Sequence, residues 1–199
     1  MAQEHIHPIF DKLLQTETKE TLLKQRGKVI WLIGLSGSGK STIAEYLEAK
    51  LYDEGFLTQV LDGDNIRSGL NKNLSFSDTD RLENIRRISE VAKLFANCGV
   101  VTLASFITPT EAIRQMAKEI IGEDKYIEVY VSTSLEACED RDVKGLYDKA
   151  RQGIIKNFTG IDSVFETPQN PAIIIPTEGF TVEESVQKLY DFIIEKISY

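Results

Sequence analysis

Apolar positions along this chain recur in two alternating rhythms. Short, nearly unbroken apolar runs at Lys28–Ile33, Thr58–Leu61, Val100–Phe106, Tyr126–Val131 and Ala172–Ile175 predict buried strands. Between them the spacing is helical. In Thr42–Leu51, Ile43, Leu47 and Leu51 fall on one face, and from Asp78 to about Asn97, Leu82, Ile85, Ile88, Ala92 and Phe95 form one stripe, with Gly99 as a C-cap candidate. Further helical patterns run from about Thr110 to Ile121, Ser134 to Arg141, Lys144 to Gln152 and Thr181 to Ile197. Strands alternating with helices imply an α/β fold. Its parallel sheet should carry helices on both faces and bind ligands at the carboxyl ends of its strands. Residues 1–26 are polar and partly helical, with short patterns at Phe10–Leu14 and Thr21–Lys24, and end at Arg26-Gly27. They are expected to form an N-terminal arm, packed or frayed, ahead of a single domain over 27–199.

Composition narrows the classes. At 199 residues, 42% hydrophobic and 27% charged, the chain can bury one core without staples, and no apolar run approaches the roughly 20 residues of a membrane span. No membrane partner is expected. The first residues carry neither a basic nor an apolar leader region, so a cytoplasmic location is expected. Cys98 and Cys138 lack metal or redox spacing and read as buried free thiols. A net charge of −8 argues against nucleic-acid binding, which needs a basic field. Anionic ligands must then be held by local clusters.

The most specific cluster follows the first predicted strand. Gly34-Leu35-Ser36-Gly37-Ser38-Gly39-Lys40-Ser41 matches G-x-x-x-x-G-K-[ST] at every fixed position, with Thr42 opening the helix. Glycines let backbone N–H groups turn inward, the helix N-terminus adds partial positive charge, Lys40 reaches the outer phosphates and Ser41 offers a hydroxyl to Mg2+. A nucleoside triphosphate is the expected ligand. After the second strand, Asp62-Gly63-Asp64-Asn65-Ile66-Arg67 puts two carboxylates and an arginine at the same sheet edge. An aspartate there can hold the metal or take a proton from an attacking hydroxyl; D-G-D-N is also good turn chemistry. Farther on, Arg81 and Asn84 are i,i+3 neighbours able to converge on one ligand, and Phe76 can stack on a base or anchor a core.

These strings together resemble the adenylylsulfate kinase (APS kinase) family. The resemblance is carried by Gly34–Thr42, Asp62–Arg67, Gly69–Asn71, Phe76-Ser77, Asp80-Arg81, Glu83–Arg87, Glu90–Leu94, Ser105–Ile107, Lys144–Tyr147 and Lys156–Asp162, spread over about residues 27–180. It implies a P-loop kinase fold and Mg2+-dependent transfer of the ATP γ-phosphoryl group to the 3′-hydroxyl of adenosine 5′-phosphosulfate. By the same resemblance, Asp64 lies near the accepting hydroxyl and metal, and Arg67, Arg81, Asn84 and Ile107 belong to the acceptor site. Phe76 and Phe165 resemble two rings that sandwich its adenine. Arg141 is placed near the ATP base and Lys144 near the phosphates, and Lys156–Gly160 closes over the acceptor. A homodimer is implied, with room for functional coupling to a separate ATP sulfurylase.

Three strings depart from the family's pattern: Asn73-Leu74-Ser75-Phe76, Asp142-Val143-Lys144 and Ser105-Phe106-Ile107-Thr108-Pro109. Thr108 stands where bacterial members carry a serine described as a phosphorylated intermediate. Thr108-Pro109-Thr110-Glu111 also reads as a helix-start capping box with Pro109 in the first turn, and that reading is preferred, with direct in-line transfer. Rival functions are a small P-loop kinase for another acceptor, a GTP switch and a degenerate regulatory kinase. The switch lacks its guanine motif, since Asn71-Lys72-Asn73-Leu74 fails N-K-x-D at the last position, and intact Lys40, Ser41 and Asp64 argue against degeneracy.

Overall fold

The computed structural model describes residues 5–199. Five strands, β1 (Val29–Ile33), β2 (Thr58–Asp62), β3 (Val101–Ser105), β4 (Tyr126–Ser132) and β5 (Ile173–Pro176), form one sheet in the order β2-β3-β1-β4-β5, every pairing parallel. Eight α-helices accompany them among the described residues, after a 3-10 turn at Phe10–Lys12: α1 (Thr16–Leu23), α2 (Lys40–Asp53), α3 (Gly63–Ser68), α4 (Asp78–Asn97), α5 (Glu111–Ile121), α6 (Leu135–Arg141), α7 (Leu146–Arg151) and α8 (Val182–Ile197). Period-two alternation in β1 divides the core. Ile30 and Leu32 face α2 and α8 through Ile43, Leu47, Leu189 and Ile193, whereas Val29, Trp31 and Ile33 face α4 and α5 through Ile85, Ile88, Ala92 and Ala117. Both faces of the sheet are thus covered. At the carboxyl edge the register aligns Asp62 with Ser105 and Ser105 with Leu32, so the ends of three strands meet where the phosphate loop begins.

The segment ahead of β1 is anchored at Glu20 and Gln25. α1 leads into Gln25, whose buried amide donates to the carbonyls of Leu57 (2.9 Å) and Gly99 (2.7 Å) and accepts from Leu57 N (2.7 Å). Glu20 accepts from Gly27 N at 2.9 Å. One side chain thereby satisfies three backbone groups at the amino edge of the sheet, which fastens the segment before β1.

Two local expectations need correction. Cys98, expected to be a buried thiol, is exposed at the end of α4. The D-G-D-N string does make an Asx-type contact, with the Asp62 side chain accepting from the backbone N–H groups of Asp64 (3.0 Å) and Asn65 (3.5 Å), and it opens α3, which periodicity did not predict. Six residues are too few for a helical repeat to show. Thr108 is not a helix cap. α5 begins at Glu111 after Thr110, and Glu111 N is met by the Glu166 carboxylate at 2.6 Å. Thr108 is buried with φ +47°, and its hydroxyl accepts the indole N–H of Trp31 at 2.9 Å. A fully buried indole donor needs an acceptor, and that need outweighs the local capping pattern.

Candidate active site

The phosphate loop joins β1 to α2 and is braced from behind. Gly37 and Gly39 have φ of +75° and +100°, and a Cβ on Gly37 would stand 3.2 Å from the carbonyl oxygen of Cys138. The Tyr147 hydroxyl donates to Ser36 O (2.8 Å), Thr133 Oγ1 to Ser38 O (3.1 Å) and Arg141 to Gly37 O (3.4 Å). Burial raises the Tyr147 hydroxyl above its ordinary value, so it remains a proton donor to that carbonyl. Arg141 also reaches Thr177 Oγ1 at 3.0 Å, standing behind the loop just past β5. Gly34, Leu35 and Ser38 form the buried interior of the loop, whereas Ser36, Gly37, Gly39, Lys40, Ser41 and Thr42 line an open cavity of about 560 Å³.

Lys40 opens α2 and is only 8% exposed. Its Nζ donates to Leu35 O at 2.7 Å and Ser38 Oγ at 3.4 Å. Desolvation lowers its pKa to about 8, against the opposing influence of Cys138, Asp62 and Asp64. A cation held this dry is poised for an anionic partner. Beside it, Ser41 Oγ donates to Asp62 Oδ2 at 2.6 Å and lies 3.3 Å from Ser105 Oγ. Asp64 projects from α3 into the cavity, and its carboxylate pairs with Lys144 Nζ at 2.5 Å. Both members of that pair are largely exposed. Lys144 therefore bridges the cavity mouth from the α6–α7 connection. In that connection, Asp142 accepts from the N–H groups of Leu146 (2.8 Å), Tyr147 (3.1 Å) and Asp148 (3.0 Å).

The other half of the cavity is basic and aromatic. Arg67 lies over the Phe76 ring at 4.4 Å and donates to Ser75 O at 2.9 Å. Arg81 donates to Phe76 O (2.9 Å), to Thr159 Oγ1 (2.7 Å) and to Asn157 O, tying the start of α4 to the 156–162 segment. Burial lowers the pKa of both guanidiniums from their ordinary value, yet both remain cations. Asn84 is buried, and with Ile107 and Thr108 it completes this wall. Phe76 is 62% exposed at the rim. Phe165 does not line the cavity; it packs on Tyr130 with ring centroids 6.3 Å apart, so the two rings are not assembled around one space.

Most of the sequence-selected residues therefore converge, with Arg141 and Phe165 behind or beside the cavity. Ser105 and Tyr147 were not selected from the sequence as site residues, and of the two carboxylates in D-G-D-N only Asp64 was given a role. Asp62 lay within the quoted D-G-D-N string, and its place at the end of β2, level with Ser105, was the available signal. Tyr147 carried none beyond its position in the lid-like string.

A braced phosphate loop facing two arginines across one cavity, at the carboxyl edge of a parallel sheet, defines a small P-loop kinase. A family model described as adenylylsulphate kinase matches residues 26–176. The chain is 57% identical over 194 residues to an adenylyl-sulfate kinase of Bacteroides fragilis, covering 98% of this chain and 96% of that one. It is 52% identical to the adenylyl-sulfate kinase of Clostridium kluyveri over 185 residues, 93% and 92% of the two chains. Among solved structures, the Mycobacterium tuberculosis APS kinase CysC in complex with AMPPNP and APS is similar at a TM-score of 0.82 and 45% identity. That likeness covers 85% of this chain and 98% of the other. The chain belongs to the adenylylsulphate kinase family.

Proposed function

We infer that this chain transfers the γ-phosphoryl group of ATP to the 3′-hydroxyl of adenosine 5′-phosphosulfate, giving 3′-phosphoadenosine 5′-phosphosulfate and ADP. The observation that carries this reading is the pairing, in one cavity, of the phosphate loop with an anion- and base-binding wall of Arg67, Arg81, Asn84 and Phe76. Sulfate activation in the cytoplasm is the corresponding role. No helix among the described residues is long and apolar enough to cross a membrane.

The loop amides and Lys40 hold the β- and γ-phosphates. Ser41 Oγ and Asp62 Oδ2, 2.6 Å apart, are the hard oxygen donors that suit Mg2+. When bound, the ion neutralises charge on the phosphate oxygens. Asp64 orients the 3′-hydroxyl and accepts its proton as the new P–O bond forms and the bond to the β-phosphate oxygen breaks. Lys144 exchanges its carboxylate partner for phosphate when nucleotide enters. Arg67, Arg81 and Asn84 grip the phosphosulfate, Ile107 contacts the acceptor, and Phe76 offers one face to the adenine. Phe165 becomes the second face only once it leaves Tyr130. Arg141, fixed behind the loop, borders the ATP base.

Transfer is direct, with Thr108 shaping the wall rather than carrying phosphate. A homodimer is the assembly the resemblance supports, and sedimentation of the purified chain checks it. Release of ADP from Mg2+–ATP, measured with adenosine 5′-phosphosulfate, AMP or gluconate as acceptor, tests the reaction. Acceleration by adenosine 5′-phosphosulfate alone is expected. Acceleration by AMP or gluconate would point to a different acceptor class.

A further inference from the structure

Asn84 lines the cavity from α4, and its Oδ1 accepts a hydrogen bond from Asn71 Nδ2 at 2.9 Å. Asn71 is fully buried and lies outside the cavity, between α3 and α4. Its backbone is pinned on both sides: its N–H donates to Ile66 O (3.0 Å), and its carbonyl accepts from Leu74 N (3.0 Å). The Asn71 side-chain oxygen faces Arg87, whose NH1 stands 3.4 Å away. That same nitrogen donates to Asn73 Oδ1 at 3.1 Å, and Arg87 Nε donates to Glu83 Oε1 at 2.7 Å.

A guanidinium has donors and no acceptor. Asn71 must therefore turn its oxygen to Arg87 and its NH2 group to Asn84. Asn84 must answer with its own oxygen, which leaves its NH2 as the group facing the cavity. Among the described residues that NH2 has no hydrogen-bond partner.

We propose that Arg87 and Asn71 are positioning residues that set the polarity of the Asn84 amide, so that the acceptor site presents a hydrogen-bond donor at this point. The inference rests on the acceptor being the anionic nucleotide inferred above. Phosphate and sulfate oxygens accept hydrogen bonds, so an inward NH2 attracts them and an inward carbonyl oxygen repels them. Arg87 touches no substrate in this account; its charge acts through two amides.

The relay can be reversed from either end. Asn71→Asp keeps the shape and the Arg87 contact but removes the donor, so Asn84 must donate to the new carboxylate and turn its oxygen inward. The KM for adenosine 5′-phosphosulfate should rise about tenfold, with the KM for ATP and kcat at saturating acceptor within about twofold. Asn71→Ala releases Asn84 without reversing it, and the rise should be only about two- to threefold. Arg87→Glu, at a half-exposed position, reverses both amides from outside and keeps the test available if the buried substitution does not fold. Arg86→Glu is its control, making the same charge change at a guanidinium bonded to Glu83. The proposal falls if Asn71→Asp leaves the acceptor KM unchanged, if Asn71→Ala is as damaging, or if Arg86→Glu matches Arg87→Glu. A wild-type protein that turns over adenosine 5′-phosphosulfate with these KM values flat overturns the relay alone. One that does not phosphorylate it at all overturns the reading of the site and the relay with it.

Discussion

On the loop side of the cavity, the lining comes from one contiguous stretch between Ser36 and Thr42, and Tyr147, Thr133 and Arg141 hold the carbonyls of Ser36, Ser38 and Gly37 from behind. On the acceptor side, Arg67, Phe76, Arg81, Asn84 and Ile107 come from three separated segments. Here the guanidiniums are engaged by loop carbonyls and an aromatic ring rather than packed into the core. The two halves differ in how each holds its cation. Lys40 is desolvated and donates only within its own loop, to Leu35 O and Ser38 Oγ, whereas Arg67 and Arg81 are about half-buried and their carbonyl and hydroxyl partners reach as far as the 156–162 segment. On the proposed reading, the loop half would bind through a cation already positioned by its own backbone, and the arginine half through guanidiniums that span separate segments.

Four experiments separate the two halves. Asp64 sits between the halves, and Asp64→Asn should lower kcat by about 10²–10⁴ while ATP affinity holds. Steady-state kinetics with a nucleotide-binding titration would show it; an unchanged kcat removes Asp64 from the chemistry. Arg81→Gln should raise the KM for the acceptor by about 10–100-fold, the usual consequence of losing a charge-assisted contact, with the KM for ATP nearly constant. A parallel rise in both constants would mean that the halves are not separate.

The donor half should also betray itself through pH. Lys40 is depressed to about 8 in the free protein. Its charge is thus complete below that value and lost as pH rises through it, while bound phosphate restores the proton. Nucleotide affinity should therefore fall by up to about tenfold between pH 8 and 9, with proton uptake on binding measurable by calorimetry in buffers of different ionisation heat. Affinity flat across that range would contradict the desolvated lysine. The smallest catalytic effect is expected at Thr108. Thr108→Ala strands the buried Trp31 indole donor and should cost about 1–3 kcal/mol of stability while kcat stays within a few-fold. Abolished turnover in a folded Thr108→Ala protein would favour a phosphorylated intermediate instead.

The same contrast explains what the sequence made legible. The phosphate loop is contiguous, so its spacing alone located Lys40 and Ser41, and the five strands and long helices announced themselves through periodicity. The acceptor half depends on three-dimensional choices that local patterns do not encode. Thr108 has the grammar of a cap, but the Trp31 indole, 77 residues away in sequence, claims its hydroxyl. Asp62 and Asp64 are equivalent in a string, yet strand register puts Asp62 against Ser41 and leaves Asp64 facing Lys144. The Phe165 ring was selected by resemblance, and packing against Tyr130 decides where it rests.

If both halves act on one phosphoryl group, phosphorus NMR of a reaction with Mg2+, ATP and adenosine 5′-phosphosulfate will follow it from donor to acceptor. A new 3′-phosphomonoester resonance should grow in step with ADP, with no free phosphate. ADP that accumulates with inorganic phosphate, or without the 3′-phosphomonoester, would contradict it.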